Sequence, residues 1–318
     1  MKGNFINIIF KRPFLKKVFL LFGFVCSIKS QAQTDTLKFL QTSPTLNHQR
    51  INLIKYTAVG LYPISMYWLY TQWYQNYPQS SFHFFNDSGE WQQMDKAGHV
   101  LTSYTIGKAS MKTLQWAGAG QKQATLYGAA IGFIYQATIE VFDGYSSQWG
   151  FSVSDIAANT AGSAFLIGQE LYWHEQRMLL KFSFHQTDFA KYRPNELGSG
   201  LAENFLKDYN GQTYWLSLNP SSFFHGAKFP KWLNVDFGYG AEGMTGAYSD
   251  PESVNGKAIP QFDRYRQFYF SLDLDLSKIQ TKSEFLSSVF RLINFIKIPA
   301  PTVEFNSGHK TKFYALYF

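Results

Sequence analysis

Residues 129–144 read AAIGFIYQATIEVFDG, a run with no proline that is apolar almost all the way round. Its polar members are few and ordered. Gln136, Glu140 and Asp143 follow one another at spacings of four and three, which places them on one face of a helix. A carboxylate on so apolar a helix needs a partner if it is buried. This stretch therefore predicts a packed helical region whose neighbours carry matching polar groups, and the flanking sequence supplies them.

Working outward, the apolar residues between about 50 and 175 keep helical spacing in four segments, near 52–75, 92–116, 121–142 and 153–175. The first contains Pro63, which should kink or interrupt it. A loop at 76–90 follows, with Asn86-Asp87-Ser88-Gly89 as a turn signal. The first helix is long enough to span a bilayer. Lys108, Lys112, Glu140 and Asp155 are costly at bilayer depth, and the mean hydropathy is −0.21, so a compact helical domain lying against or partly in a membrane is favoured over polytopic insertion.

After about 178 the period changes from 3.6 to 2. In 267–278 (QFYFSLDLDLSK), Phe268, Phe270, Leu272, Leu274 and Leu276 alternate with Gln267, Ser271, Asp273, Asp275 and Ser277. Residues 232–240 alternate likewise, and shorter runs occur at 179–185, 213–219, 302–306 and 313–318. About six strands result, with an amphipathic helix over 284–297. The chain ends with Tyr314, Leu316 and Phe318 on one strand face, which resembles the closing strand of an outer-membrane β-barrel. An ordinary half-buried sheet packed on the helices is the other reading. The expected fold class is α+β: a helical four-helix-type domain at 34–176, then an antiparallel β-rich part at 177–318 that is either such a sheet or barrel-like.

The chain has 318 residues, 29 Lys+Arg against 22 Asp+Glu, and 19% aromatic residues. Six of the basic residues (Lys2, Lys11, Arg12, Lys16, Lys17, Lys29) lie in the first 33, which hold no acid, so 23 basic residues face 22 acidic ones in the remainder. That balance excludes a phosphate-tracking nucleic-acid surface. The same segment reads as a signal peptide over 1–33, with the apolar run Val18–Cys26 too short to span a membrane and cleavage expected near Gln33. Cys26, the single cysteine, follows Val25 where lipoprotein processing uses a small residue, so it is expected to leave with the signal. The predicted location is the periplasmic side of, or within, the outer membrane, with a membrane or envelope component as partner.

Three helices each carry one polar stripe: Asp95, His99, Thr102 and Ser103 on the second, Gln136, Glu140 and Asp143 on the third, Asp155, Asn159 and Gly162 on the fourth. If they converge they form a site in the bundle. His99, Glu140 and Asp155 are the candidate catalytic groups. Asp95, Lys96, Asp143, Ser152 and Asn159 are candidates for substrate contact or a polar network, with Lys96 available to an anionic group and Asn159 as a hydrogen-bond donor. One imidazole with several oxygens suits Mg²⁺, Mn²⁺ or Zn²⁺, so a divalent cation is a possible cofactor of unknown identity. Blander readings stand beside these. Ser152 and Asp155 fit a capping-box-like start, Asp95 suits a helix N-terminus, Glu140 could form a structural ion pair with Lys96 or His99, and Gly162 could serve close helix approach.

The pattern Asp95-Lys96-x-x-His99, Glu140-x-x-Asp143-Gly144 and Gly150-Phe151-Ser152-x-x-Asp155-x-x-Ala158-Asn159-x-x-Gly162 resembles the YfiM-like periplasmic lipoproteins of unknown function. More distantly it is similar to VanZ-like proteins. The resemblance covers roughly 85–170 and implies a shared site rather than a named reaction. Two functions remain: an envelope structural or assembly protein with a buried polar network, or a metal-assisted or acid-base hydrolase or transferase acting on an envelope lipid, phosphate ester or glycan. No nucleophile elbow, phosphate-binding glycine loop or His-rich zinc motif sharpens the second.

Overall fold

The computed structural model describes residues 39–224, 228–307 and 310–318. The signal peptide, its cleavage near Gln33 and Cys26 lie outside the described residues.

Four long helices open the described chain: α1 (His48–Trp73), α2 (Met94–Trp116), α3 (Gln121–Gly144) and α4 (Val153–Tyr172). Helix α1 runs through Pro63 without the expected interruption. Only α2, α3 and α4 form the packed bundle. Helix α1 lies alongside with Met66 as its one buried residue, tied at its start by Arg50, which donates to the carbonyl of Trp116 (2.8 Å) and stacks over its ring. Among the described residues no helix is long and apolar enough to cross a membrane.

The bundle is closed by close backbone approach. A Cβ on Gly132 of α3 would stand 2.3 Å from the carbonyl oxygen of Ser103, and one on Gly162 of α4 would stand 2.3 Å from that of Val100. Both partners are on α2, so these glycines set how near α3 and α4 come to the helix that carries Asp95 and His99. Tyr104, Met111, Ala124, Ala129 and Leu166 fill the core above them.

The β part is a six-stranded antiparallel meander: β1 (Met178–Phe184), β2 (Gln212–Leu218), β3 (Leu233–Glu242), β4 (Tyr265–Leu274), β5 (Ala300–Asn306) and β6 (Lys312–Tyr317), paired in chain order. Strand β4 ends four residues short of the expected 278, because the Asp275 side chain accepts from the Ser277 amide and starts a 3-10 turn. The amphipathic helix α5 is likewise shorter than expected, Glu284–Ile293.

The sheet does not close into a barrel. Strands β1 and β6 do not pair; instead Phe182 of β1 exchanges backbone bonds with Phe295 (2.8 Å) and Lys297 (2.9 Å), which curls the sheet without closing it. The concave face is the polar one. Lys181, Ser217, Asp236, Ser271, Asp273, Thr302 and Glu304 are all buried there, with Lys181 paired to Asp273. Around them Trp215 donates to Ser183 (2.9 Å), Thr302 to Ser271 (2.8 Å) and Tyr317 to Tyr269 (2.8 Å). The apolar face points outward. Over β1–β3 the bundle covers part of it, with Leu180 on the helical core and Tyr214 and Tyr239 against Met94. Over β4–β6 it is open: Phe268 is 51% exposed, Phe313 69% and Leu316 68%.

The glycine contacts generate a direct test. Gly162→Ala should lower unfolding stability by about 1–3 kcal/mol through overpacking. Gly168→Ala, on the same helix but with open space around it, should be neutral or stabilising by up to ~1 kcal/mol. Urea unfolding of both variants decides the matter, and equal effects would mean that the α2–α4 contact is not tight.

Candidate functional site

The polar stripes of α2, α3 and α4 converge. Their meeting point is prepared locally by a strained entry into α2, where Trp91, Gln92 and Gln93 have φ of 48°, 55° and 64°. Left-handed backbone costs such residues about 1–2 kcal/mol each. Contacts from the β half hold it: the Trp91 amide donates to Ala247 (2.8 Å) and the Tyr239 hydroxyl to the Gln92 carbonyl. The turn delivers Asp95 and Lys96 at the head of α2, with Trp91 beside them.

Lys96 lies at the centre of the charge arrangement. Its ammonium is 2.8 Å from Asp87 Oδ1, 2.8 Å from Asp95 Oδ2 and 2.7 Å from Asp155 Oδ1. It is thus engaged by three carboxylates rather than presented to an incoming anion. His99, one turn further along α2, has Nε2 3.6 Å from Asp95 Oδ1, 3.7 Å from Glu140 Oε1 and 3.8 Å from Asp155 Oδ1. On the other side of the ring, Nδ1 is 3.1 Å from Asn159 Oδ1 and 3.2 Å from Gln136 Nε2. Both amide groups are within hydrogen-bonding distance of Nδ1, and the tautomer of His99 decides which of them donates and which accepts.

Ser152 caps α4 by accepting from the Asp155 amide (3.0 Å), as the capping reading expects. The reciprocal bond differs. The Ser152 amide donates to Glu140 Oε2 (3.2 Å), and this leaves the Asp155 carboxylate free to face Lys96 and His99. Asp143 accepts from the Tyr74 hydroxyl (2.8 Å) at the edge of the cluster. All eight residues singled out in the sequence are therefore in one neighbourhood.

Sequence reasoning missed several members. Asp87 sits in what reads as a plain turn, yet it accepts from Ser152 (2.6 Å) and Ser154 (2.7 Å) as well as pairing with Lys96. Tyr209, from the β half, donates to Asp95 Oδ1 (2.9 Å) and is separated from it by 114 positions. No local signal marks Tyr209. For Asp87 the only hint is an acid just ahead of the Asp95-Lys96 pair.

These contacts set the protonation of the cluster. Burial raises Asp87, but hydrogen bonding with Asp155, Lys96, Ser152 and Ser154 overcomes it and brings its pKa down to about 2. Burial also opposes ionisation of Asp95, which His99 and Lys96 nevertheless hold below the usual carboxylate range. Glu140 goes the other way: burial, then the charges of Asp143 and Asp155, push it up to about 10. Burial, with Asp95 and Asp87 adding to it against the Tyr74 bond, raises Asp143 to about 8. The pattern is that of more carboxylates than the local cations neutralise.

The cluster forms the floor of a cavity of about 350 Å³. Asp95, His99, Gln136, Asp143 and Asp155 line it below, and Trp73, Tyr74, Trp91, Trp149, Tyr209 and Tyr214 are among its walls. Several atoms of the cluster are buried without a hydrogen-bond partner among the described residues: Gln136 Oε1 in the lining, and Glu140 Oε1 and Asn159 Nδ2 outside it.

Comparison with known proteins coincides with this geometry. Residues 83–168 match a family model described as predicted periplasmic lipoprotein (DUF2279). The matched span runs from the loop before Asp87 to the last turns of α4, so it contains Asp87, Lys96, His99, Glu140 and Asp155 but neither Tyr209 nor the sheet. The description is of an exported lipoprotein and names no reaction or ligand. No curated protein and no solved structure matches the chain.

Lys96→Met should destabilise the fold by about 3–5 kcal/mol at neutral pH, since it strands buried carboxylates without their counter-ion. Lys96→Met combined with Asp87→Asn should recover part of that loss. Thermal unfolding of the single and double variants reads the coupling, and strictly additive losses would mean that the pair does not interact.

Proposed function

We propose that this protein is an exported envelope enzyme, a hydrolase or group transferase, that rests on a membrane and acts on an envelope lipid carrying an ester, phosphate ester or glycan head. One observation carries the reading: the polar cluster reaches the floor of an aromatic-walled cavity, and buried atoms of that cluster lack hydrogen-bond partners among the described residues. A network kept only for stability satisfies its polar atoms, because each unsatisfied one costs about 1–3 kcal/mol. Here His99 and Asp155 face a space where a reacting group can sit, Glu140 stands behind His99, and Asp95, Lys96, Asp143, Ser152 and Asn159 fix their positions. Aromatic walls above a charged floor suit a molecule with an apolar body and a polar head.

The membrane setting has its own support. The open half of the sheet buries charge and exposes phenylalanines, the reverse of a water-facing sheet, and contiguous apolar surface of this kind marks interaction with a membrane or a partner. The description of the matching family, a predicted periplasmic lipoprotein, implies membrane anchoring. A structural or assembly role is the second reading. The observation in its favour is Lys96, whose engagement by three carboxylates from three segments locks the bundle.

The test is turnover in liposomes by the mature chain, offered an extract of envelope lipids and followed by mass spectrometry. New products are expected from the wild type and at least 100-fold less from His99→Ala and Glu140→Gln, provided both variants retain cooperative unfolding. A wild type inactive on lipid esters, phosphate esters and glycans alike would remove the enzymatic reading. Vesicle flotation tests the surface: the wild type should float with the vesicles, and a Phe268→Asp, Phe270→Asp, Leu316→Asp triple variant should stay in the soluble fraction. Equal flotation would dismiss the sheet as the contact.

A further inference from the structure

We infer that Asp95, His99 and Asp155 bind a divalent cation, four-coordinate Zn²⁺ in preference to octahedral Mg²⁺, with Glu140 beside it. As a source of activated water the ion rests on the hydrolase reading; as a bound ion it stands without it. The ligating atoms of Asp95, His99 and Asp155 lie within 4.8 Å of one another. From His99 Nε2 to the nearest carboxylate oxygens the gaps are 3.6 Å (Asp95), 3.7 Å (Glu140) and 3.8 Å (Asp155). These are too long for hydrogen bonds, which span about 2.7–3.2 Å. They are slightly longer than the spacing of ligands around an ion, and nearer to a tetrahedral than to an octahedral edge. At metal–ligand distances of about 2.0–2.2 Å a tetrahedron has edges of about 3.3–3.6 Å, whereas neighbouring ligands of octahedral Mg²⁺ are only about 3.0 Å apart.

The chemistry of the donors agrees. In the tautomer whose Nδ1 proton is directed at Asn159 Oδ1, the lone pair of Nε2 points at three carboxylate oxygens, an arrangement that a cation between them makes favourable. A hydrogen-bond acceptor on the far ring nitrogen is also what orients a metal-binding histidine. The independent sign is Glu140. Its side chain is fully buried, Oε2 takes the Ser152 amide, and Oε1 has no hydrogen-bond partner among the described residues although it is turned toward His99. Three carboxylates, Asp87, Asp95 and Asp155, surround the ammonium of Lys96, and Glu140 adds a fourth acid beside His99, so the acids outnumber the ammonium that offsets them. Three protein ligands would leave a fourth position on a four-coordinate ion for water.

The experiment uses the whole mature chain, stripped with a chelator and dialysed separately against Zn²⁺, Mn²⁺ and Mg²⁺, with bound metal counted by elemental analysis. One Zn²⁺ per chain is expected, with Mg²⁺ binding far more weakly. His99→Ala and Asp155→Asn should bind Zn²⁺ at least 100-fold more weakly, and Asp188→Asn, on the exposed surface, should bind like the wild type. Should His99→Ala fail to fold, Co²⁺ replaces Zn²⁺ as the probe in His99→Cys, where a thiolate-to-cobalt absorption band must appear. No stoichiometric binding of any of these ions, retained binding in both ligand variants, or no such band in a folded His99→Cys would overturn the site. Turnover that persists in chelator would do the same and leave the hydrolase standing, whereas a bound Zn²⁺ without turnover on any substrate would support the site and sink the hydrolase.

Discussion

The ammonium of Lys96 draws together carboxylates from the loop before α2, from α2 itself and from the head of α4, each within 2.8 Å. Removing several charges from water is expensive, and mutual attraction in the interior offsets the cost only when geometry and hydrogen bonding are both good. The surrounding bonds meet that condition for Asp87 and Asp95, through Ser152, Ser154 and Tyr209. They do not meet it for Glu140, whose second oxygen has no hydrogen-bond partner among the described residues. The bundle thus holds a balanced part and an unbalanced part side by side.

The arrangement depends on how closely three helices approach. Gly132 and Gly162 let α3 and α4 press against the backbone of α2, and at that separation Asn159 can reach His99 and the Ser152 amide can reach Glu140. The three consecutive left-handed residues ahead of α2 are part of the same construction. Their strain is carried by contacts from Ala247 and Tyr239, so the β half holds the entrance of the site as well as supplying Tyr209.

The sheet inverts the usual order of burial. Lys181, Asp236, Asp273 and Glu304 fill a curled interior, while Phe268, Phe270, Phe313 and Leu316 face outward. Alternation in β4 made both faces plain from the sequence, since period 2 is a local property of a strand. Which face turns inward is not local. It follows from the curl, which depends on the 295–297 segment lying along β1. The same distinction explains why a barrel-like reading arose from the terminal strand although the six strands stay open.

Taken alone, the sequence determined the kind and order of the elements and the membership of the polar stripes. Helical and strand periodicity, Pro, Gly and capping residues act over a few positions, so His99, Glu140 and Asp155 could be named as partners from spacing. Of the expected kink or interruption at Pro63, the interruption does not occur, because α1 continues through it. Tertiary structure alone decided that Asp87 and Tyr209 join the cluster, that Glu140 rather than Asp155 completes the Ser152 cap, and that Lys96 is shared among three acids. Apart from the adjacent Asp95–Lys96 pair, each of these is a contact between separate segments, set by helix separation and sheet curl, and no residue pattern within either segment encodes it.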